Sequence, residues 1–191
     1  SGIRILGWWD RGPRQTTSNK PINGIADLKG LKIRLPEIPA MIAFWKAVGA
    51  NPTPMAWNEV YTGLEQRVID AQENPNPFIY AARIHEVQKY LAITEHKYEY
   101  VTLSMSDIRW QSLSEDQRKI VAEAAAAATA YENQLVAEKS AEVLDKMKKE
   151  GIEVTYPNKE ELAAAARSVH EEFAKSVDIE LYKRIMKELG R

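Results

Sequence analysis

Between Ser114 and Glu150 the chain contains neither glycine nor proline. Ser114 and Gln117 open this interval at the spacing of a capping box, in which each side chain satisfies the other's backbone N–H. Ile120, Ala124, Ala127, Tyr131, Leu135, Val143, Leu144 and Met147 then recur near helical spacing, and Gly151 follows as a stop. The interval therefore predicts one very long helix, or two abutting ones. Such a helix outreaches a single packing unit in a chain of 191 residues, which implies two lobes joined by a bridging helix. The alanine-rich run at 123–130 agrees, because small side chains on a strong helix former allow close packing against another element.

Ahead of this helix the pattern alternates. Leu31, Ile33 and Leu35 interleave with Lys32 and Arg34 as a short half-buried strand, entered through Gly30 and ended by Pro36. A helix is expected through Met41, Ile42, Phe44, Trp45 and Val48, with Pro39 in its first turn and Gly49 at its end. Thr53–Met55 reads as a second strand, Asn58 as the cap of a short helix over Val60, Tyr61 and Leu64, and Val68–Gln72 as a third strand closed by Asn74-Pro75. Strand and helix alternating through short connections is the pattern of a parallel α/β sheet. Tyr98–Met105 reads as a further strand. After the long helix come a strand at Ile152–Tyr156, a Pro157-Asn158 turn, and helices around 159–175 and 178–189.

Several functions lose their footing on composition. With 26 Lys+Arg against 27 Asp+Glu there is no basic excess to attract nucleic acid or an acidic membrane. The absence of cysteine removes thiol nucleophiles, disulfides and Cys-ligated metal centres. No apolar run approaches the roughly 20 residues that span a bilayer. The first residues, SGIRILGWWDRG, lack the basic start and cleavage site of a signal peptide, as expected of a mature or truncated chain. His85, His96 and His170 are far apart and match no metal-ligand spacing, so they read as surface or core histidines. The nine glycines form no phosphate-binding loop and there is no nucleophile elbow. No cofactor is expected. A hydrolase or lyase survives as an alternative only because paired carboxylates carry no spacing signature.

Recognition residues make a better case. Arg34 lies on the polar side of its strand near the carboxyl end, where open α/β sheets bind ligands, and its planar fork matches a carboxylate; the competing reading is a surface salt bridge. Asn74 sits just past the third expected strand, where its amide suits a carboxylate or hydroxyl, although Asn-Pro is equally a turn. Arg14 falls in the polar stretch RGPRQTTSNKP, which on its own reads as a loop with a surface arginine. Trp57 follows the second expected strand and offers either a face for a ligand or a hydrophobic staple for the next helix.

At these residues the sequence resembles the solute-binding proteins of TRAP transporters (tripartite ATP-independent periplasmic transporters), the DctP-type family. Three segments carry the resemblance: GPRQTTSNKPINGIADLKGLKIRLPE, VGANPTPMAWNEVYTGLEQRVIDAQENPNPFIY and HEVQKYLAITEH. It continues more loosely through LSEDQRKIV and the helical tail. The resemblance implies an α/β, periplasmic-binding-protein-like fold, a type II-like clamshell with a long lobe-spanning helix. It implies no enzyme but a periplasmic receptor that hands a small organic acid to a membrane permease. The carboxylate-binding arginine of the family falls on Arg34, a second ligand-contacting arginine on Arg14, the asparagine of QENP on Asn74, the aromatic after PTPMA on Trp57, and a ligand-facing position on Glu37. Ala71, where glycine is usual, and Arg67, where a small or polar residue is common, depart from the pattern.

The first lobe is expected to be incomplete. On this reading residues 1–12 and 100–150 are its remnant with the connecting helix, and residues 13–99 and 151–191 form the second lobe. Hinge closure needs both lobes, so the chain alone is expected to bind weakly. Glu37 would accept hydroxyl hydrogen bonds and repel a second carboxylate, which favours a sugar acid such as a uronate over a plain dicarboxylate, with a C4-dicarboxylate and sialic acid as the other candidates. The rival expectation is a binding-incompetent fragment that self-associates through its exposed lobe interface.

Overall fold

The computed structural model describes residues 2–190. Strand β1 (Ile3–Ser18) runs through both parts of the sheet. Its first half pairs antiparallel only with β6 (Tyr98–Ser106), making a two-stranded ribbon. Its second half enters the main sheet, antiparallel to β4 (Ala71–Pro75) on one side and β5 (Tyr90–Ala92) on the other. The full order is β3-β2-β4-β1-β5-β7, where β2 is Lys32–Leu35, β3 is Asn51–Pro54 and β7 is Glu153–Thr155. The parallel pairs β2–β3 and β2–β4 answer the expected α/β pattern, and β1 is the antiparallel exception. Between ribbon and main sheet the register slips at Asp10–Pro13, where Gly12 adopts φ 75° and its N–H donates to Asp10 Oδ1 at 2.7 Å. An extra residue with a left-handed glycine bends a strand and raises its twist, which lets β1 leave one pairing for the next.

Two stretches differ from their expected form. RGPRQTTS is the buried end of β1 rather than a loop, with Arg14, Gln15, Thr16, Thr17 and Ser18 all buried. Its polarity hid it, and it is tolerated because neighbouring side chains answer it: Gln72 Nε2 donates to Thr17 Oγ1 at 2.9 Å, and Thr16 and Thr94 hydroxyls meet at 3.1 Å. The strand expected at Val68–Gln72 is displaced to Ala71–Pro75. Residues 66–70 instead close α2 (Val60–Glu65), with Arg67 at φ 57° and the Val68 N–H on Gly63 O at 2.9 Å. That helix starts from a short 3-10 turn at Trp57–Glu59 and receives no side-chain cap from Asn58.

Both faces of the main sheet are covered. Adjacent residues of β5 show this, since Leu91 joins one apolar cluster and Ala92 the other. On one face α1 (Pro39–Ala47) and α6 (Lys159–Val177) bring Met41, Trp45 and Leu162 over Ile33 and Leu35. On the other, α2 and α3 (Asn76–Ala81) bring Val60, Leu64 and Ile79. This double cover explains why β2 buries Arg34 along with Ile33 and Leu35.

After the short α4 (Asp107–Gln111), a single helix α5 (Glu115–Lys149) of 35 residues, with the Ser114–Gln117 capping box in place, runs roughly 50 Å. Its first half packs on the ribbon: Trp9 Nε1 donates to Thr129 Oγ1 at 3.1 Å and the Asp10 N–H to Asn133 Oδ1 at 2.7 Å. Its far end buries Met147 in the second cluster of the main sheet. One helix thus bridges both units, and α7 (Ile179–Glu188) closes the chain. None of the described helices is long and apolar enough to cross a membrane.

The contact between ribbon and α5 depends on Gly7, where a Cβ would lie 2.2 Å from Thr129 Oγ1. Thr129 is β-branched and already held by Trp9, so it cannot simply rotate away. Gly7→Ala is expected to destabilise the protein by about 1–3 kcal/mol through overpacking, read as a lower urea midpoint with unchanged slope. An unchanged midpoint would mean that the ribbon is not clamped against α5.

Candidate ligand-binding site

β2 and β4 run side by side and in parallel, with Arg34 opposite Gln72, and β1 lies on the other side of β4 with Arg14 opposite Pro75. Arg34, Asn74 and Arg14 therefore come from three adjacent strands of one sheet, although 20 to 60 residues separate them in the chain. Asn74 lies inside β4 rather than beyond it. Asn74 Nδ2 donates to Gln72 Oε1 at 2.9 Å, as residues two apart share a face of a strand, and Asn74 Oδ1 accepts from Arg14 Nη2 at 3.0 Å.

The two arginines differ in how far they are already occupied. Arg14 meets Glu73 through both Nε and Nη2, the latter 2.8 Å from Oε1, and Nη2 also reaches the Glu73 carbonyl at 2.8 Å. Nη1 donates to Glu99 Oε2 at 2.7 Å. Burial works against the Arg14 charge, but the hydrogen bonds and charges of Glu73 and Glu99 outweigh it and raise its pKa above the usual arginine value.

Arg34 has no carboxylate within ion-pair range among the described residues. Its Nε and Nη2 both donate to the Met55 carbonyl, at 2.9 and 2.6 Å, and its guanidinium sits 5.4 Å from the centre of the Trp57 ring. Burial lowers the Arg34 pKa; Glu73 supports the charge from a distance while Arg14 opposes it. The Met55 carbonyl fixes the side chain and leaves Nη1 without a protein partner among the described residues. Trp57 is 42% exposed, so its ring borders open space beside this cation. Glu37, at the bend after β2, makes no side-chain hydrogen bond or ion pair among the described residues.

Glu73 and His96 belong to this constellation and escaped the sequence reading. Glu73 is fully buried on β4, and His96 Nε2 lies 3.1 Å from its Oε2. An ionised carboxylate only accepts, so Nε2 carries a proton, and Nδ1 lies 2.8 Å from the Thr94 hydroxyl. Burial pushes the Glu73 carboxyl up, but hydrogen bonds from His96 and Arg14, with their charges, bring it below the usual carboxylate range. Glu99 is likewise lowered, against its partial burial, by Lys97 at 3.0 Å and by Arg14 and Arg11. The result is a prepared polar floor in which every acid is answered, beside one buried cation that is not.

The family profile for bacterial extracellular solute-binding protein, family 7 (DctP), matches residues 1–176. The sialic acid-binding periplasmic protein SiaP of Vibrio cholerae is 39% identical over 174 residues, 91% of this chain and 54% of that protein. The chain thus spans about half the length of the curated relatives it matches. A TRAP periplasmic solute-binding protein from Roseobacter denitrificans, solved with bound L-galactonate, superposes with a TM-score of 0.78 at 40% identity, over 88% of this chain and 56% of that one. Another from Sulfitobacter sp. NAS-14.1, with bound β-D-galacturonate, gives 0.88 at 30% identity over 97% and 62%. These relatives are periplasmic binding proteins, which does not favour the hydrolase or lyase alternative. The chain belongs to the bacterial extracellular solute-binding proteins of family 7, the DctP family of TRAP transport.

Proposed function

We propose that this chain is the carboxylate-holding part of a periplasmic receptor for a hydroxylated sugar acid, which it delivers to a TRAP permease. The observation that carries the reading is the imbalance at Arg34. A guanidinium that is largely buried, held by one carbonyl and near a second cation lacks an anion, and a carboxylate placed in two parallel hydrogen bonds would supply it. The same imbalance counts against the rival of a binding-incompetent module, since an unanswered buried cation serves no interface between copies.

Arg34 is then the clamp. Arg14, whose fork is spent on Glu73 and Glu99, contributes field and one remaining N–H, and it orients Asn74. Trp57 covers the body of the ligand. Glu37, three residues beyond Arg34, accepts hydroxyl hydrogen bonds and repels a second carboxylate, which favours uronates and aldonates over dicarboxylates. Bound sugar acids in the Roseobacter and Sulfitobacter proteins support this ligand class. Residues 1–12 and 100–150 would belong to the first lobe and its connecting helix, and residues 13–99 and 151–191 to the second.

A thermal-shift screen tests the reading with β-D-galacturonate, L-galactonate, sialic acid and succinate. A ligand at a hundredfold excess over its Kd adds about 2.7 kcal/mol of apparent stability. The sugar acids are expected to raise the midpoint and succinate to leave it unchanged. A shift with succinate alone would overturn the assignment of ligand class.

A further inference from the structure

We propose that Glu99 is a specificity-determining residue: its carboxylate fills a group of cations that would otherwise hold a second carboxylate of the ligand. The inference rests on the Arg34 clamp and deepens it. A site with several cations can then take an acid with one carboxylate and turn away an acid with two.

Three cations converge on Glu99, which lies on β6. Arg14 Nη1 donates to Oε2 at 2.7 Å, Lys97 Nζ donates to Oε1 at 3.0 Å, and Arg11 Nη1 lies 3.7 Å from Oε2. Each oxygen therefore has a cation of its own. The backbone gathers these residues independently of the acid between them, because the Arg14 N–H donates to the Lys97 carbonyl at 2.9 Å. Arg11 is kept at the rim by Phe78, with its guanidinium carbon 4.0 Å from the centre of that ring. Like charges held this close disfavour one another unless an anion stands between them. The arrangement is that of an anion site whose anion is supplied by the chain itself.

The group is open to solutes, since the side chains of Glu99, Arg11 and Lys97 are 20, 27 and 34% exposed. Arg14 is the buried member and joins the group to the cleft: its Nη2 donates to Asn74 Oδ1, and its charge is felt by Arg34. Glu73 cannot take the place of Glu99, because it is committed to the other arm of the Arg14 fork and to His96. Glu37 and Glu99 work by different means. Glu37 repels a second carboxylate from the bend after β2, whereas Glu99 withholds the donors that such a carboxylate would need. Neutralising Glu99 leaves Arg14 Nη1 and Lys97 Nζ without an acid partner, and a ligand carboxylate answers both.

The test compares two acids that differ in one group. L-Galactonate is a hydroxylated chain with one carboxylate, and galactarate carries a second carboxylate in place of its terminal CH2OH. Calorimetric titration of the 191-residue chain and of Glu99→Gln gives the ratio of the two affinities in each. The wild type is expected to prefer galactonate. Glu99→Gln is expected to raise the galactarate-to-galactonate ratio by about ten- to a hundredfold, the range for hydrogen bonds to a charged group. The gain is expected to disappear when Lys97→Met is added, which removes one of the released donors; a merely structural Glu99 would move both acids together. If Glu99→Gln shows no unfolding transition, Glu99→Met carries the same comparison with a neutral side chain of similar length. An unmoved ratio in the folded variant overturns the proposal, and so does a gain that survives Lys97→Met. Absence of galactonate binding by the wild type would overturn the clamp reading and this one together, whereas Arg34-dependent galactonate binding with an unmoved ratio overturns this one alone.

Discussion

Glu73→Gln is expected to lower the unfolding midpoint at neutral pH by roughly 6–12 °C, corresponding to about 3 kcal/mol for a buried ion pair broken on one side. Glutamine keeps the shape and an acceptor but removes the charge that holds the Arg14 fork and the His96 N–H. Arg14 would keep Glu99 as its acid partner, which limits the loss; His96 would keep only Thr94. The pH dependence follows from the direction of the Glu73 shift. Its folded pKa lies below its unfolded value of about 4.3, so its stabilisation is complete above that value and disappears as pH falls through the lower, folded pKa. Wild type and variant should therefore differ most at neutral pH and converge in acid. Scanning calorimetry across that range checks both points. Equal midpoints at neutral pH would mean that desolvation of Glu73 and Arg14 already cancels their attraction, the other known balance for buried pairs.

What could be read in advance follows how local each signal is. The long helix announced itself by the missing glycine and proline and by its capping box, both properties of a few neighbouring residues. Arg34 was legible for the same reason, since alternation and Pro36 place the carboxyl end of β2 from sequence alone. Arg14 was not, because a buried polar strand has no hydrophobic alternation to betray it. Its burial is permitted by Glu73, Asn74 and Glu99, between 59 and 85 residues away. The resemblance to a family nominates Arg14 where periodicity does not. The pairing of Glu73 with His96 escaped both routes, because a lone histidine 23 residues from a lone glutamate has no spacing rule. Asn74 lies inside β4 because Pro75 takes the last position of the strand, where its missing N–H ends the ladder rather than interrupting it.

Arg34→Ala is expected to weaken sugar-acid binding by a factor of roughly 30 to several thousand, the range for truncating one partner of a desolvated, hydrogen-bonded charge pair at 2–5 kcal/mol. The effect should be large because nothing nearby can replace the clamp: Arg14 is held by two acids and Lys97 by Glu99. Arg34→Lys separates charge from geometry. Lysine would keep the positive field but offer a point charge in place of a fork, and it could not hold the Met55 carbonyl and a two-oxygen acid in one plane. Lysine should therefore recover only part of the loss. Calorimetric titration with β-D-galacturonate measures all three proteins, and their unfolding midpoints verify that each is folded. If lysine restored full affinity, Arg34 would act through its charge alone. If alanine bound as tightly as wild type, the carboxylate would have to be held by Asn74 and the remaining N–H of Arg14, and the free donors of Arg34 would need another explanation.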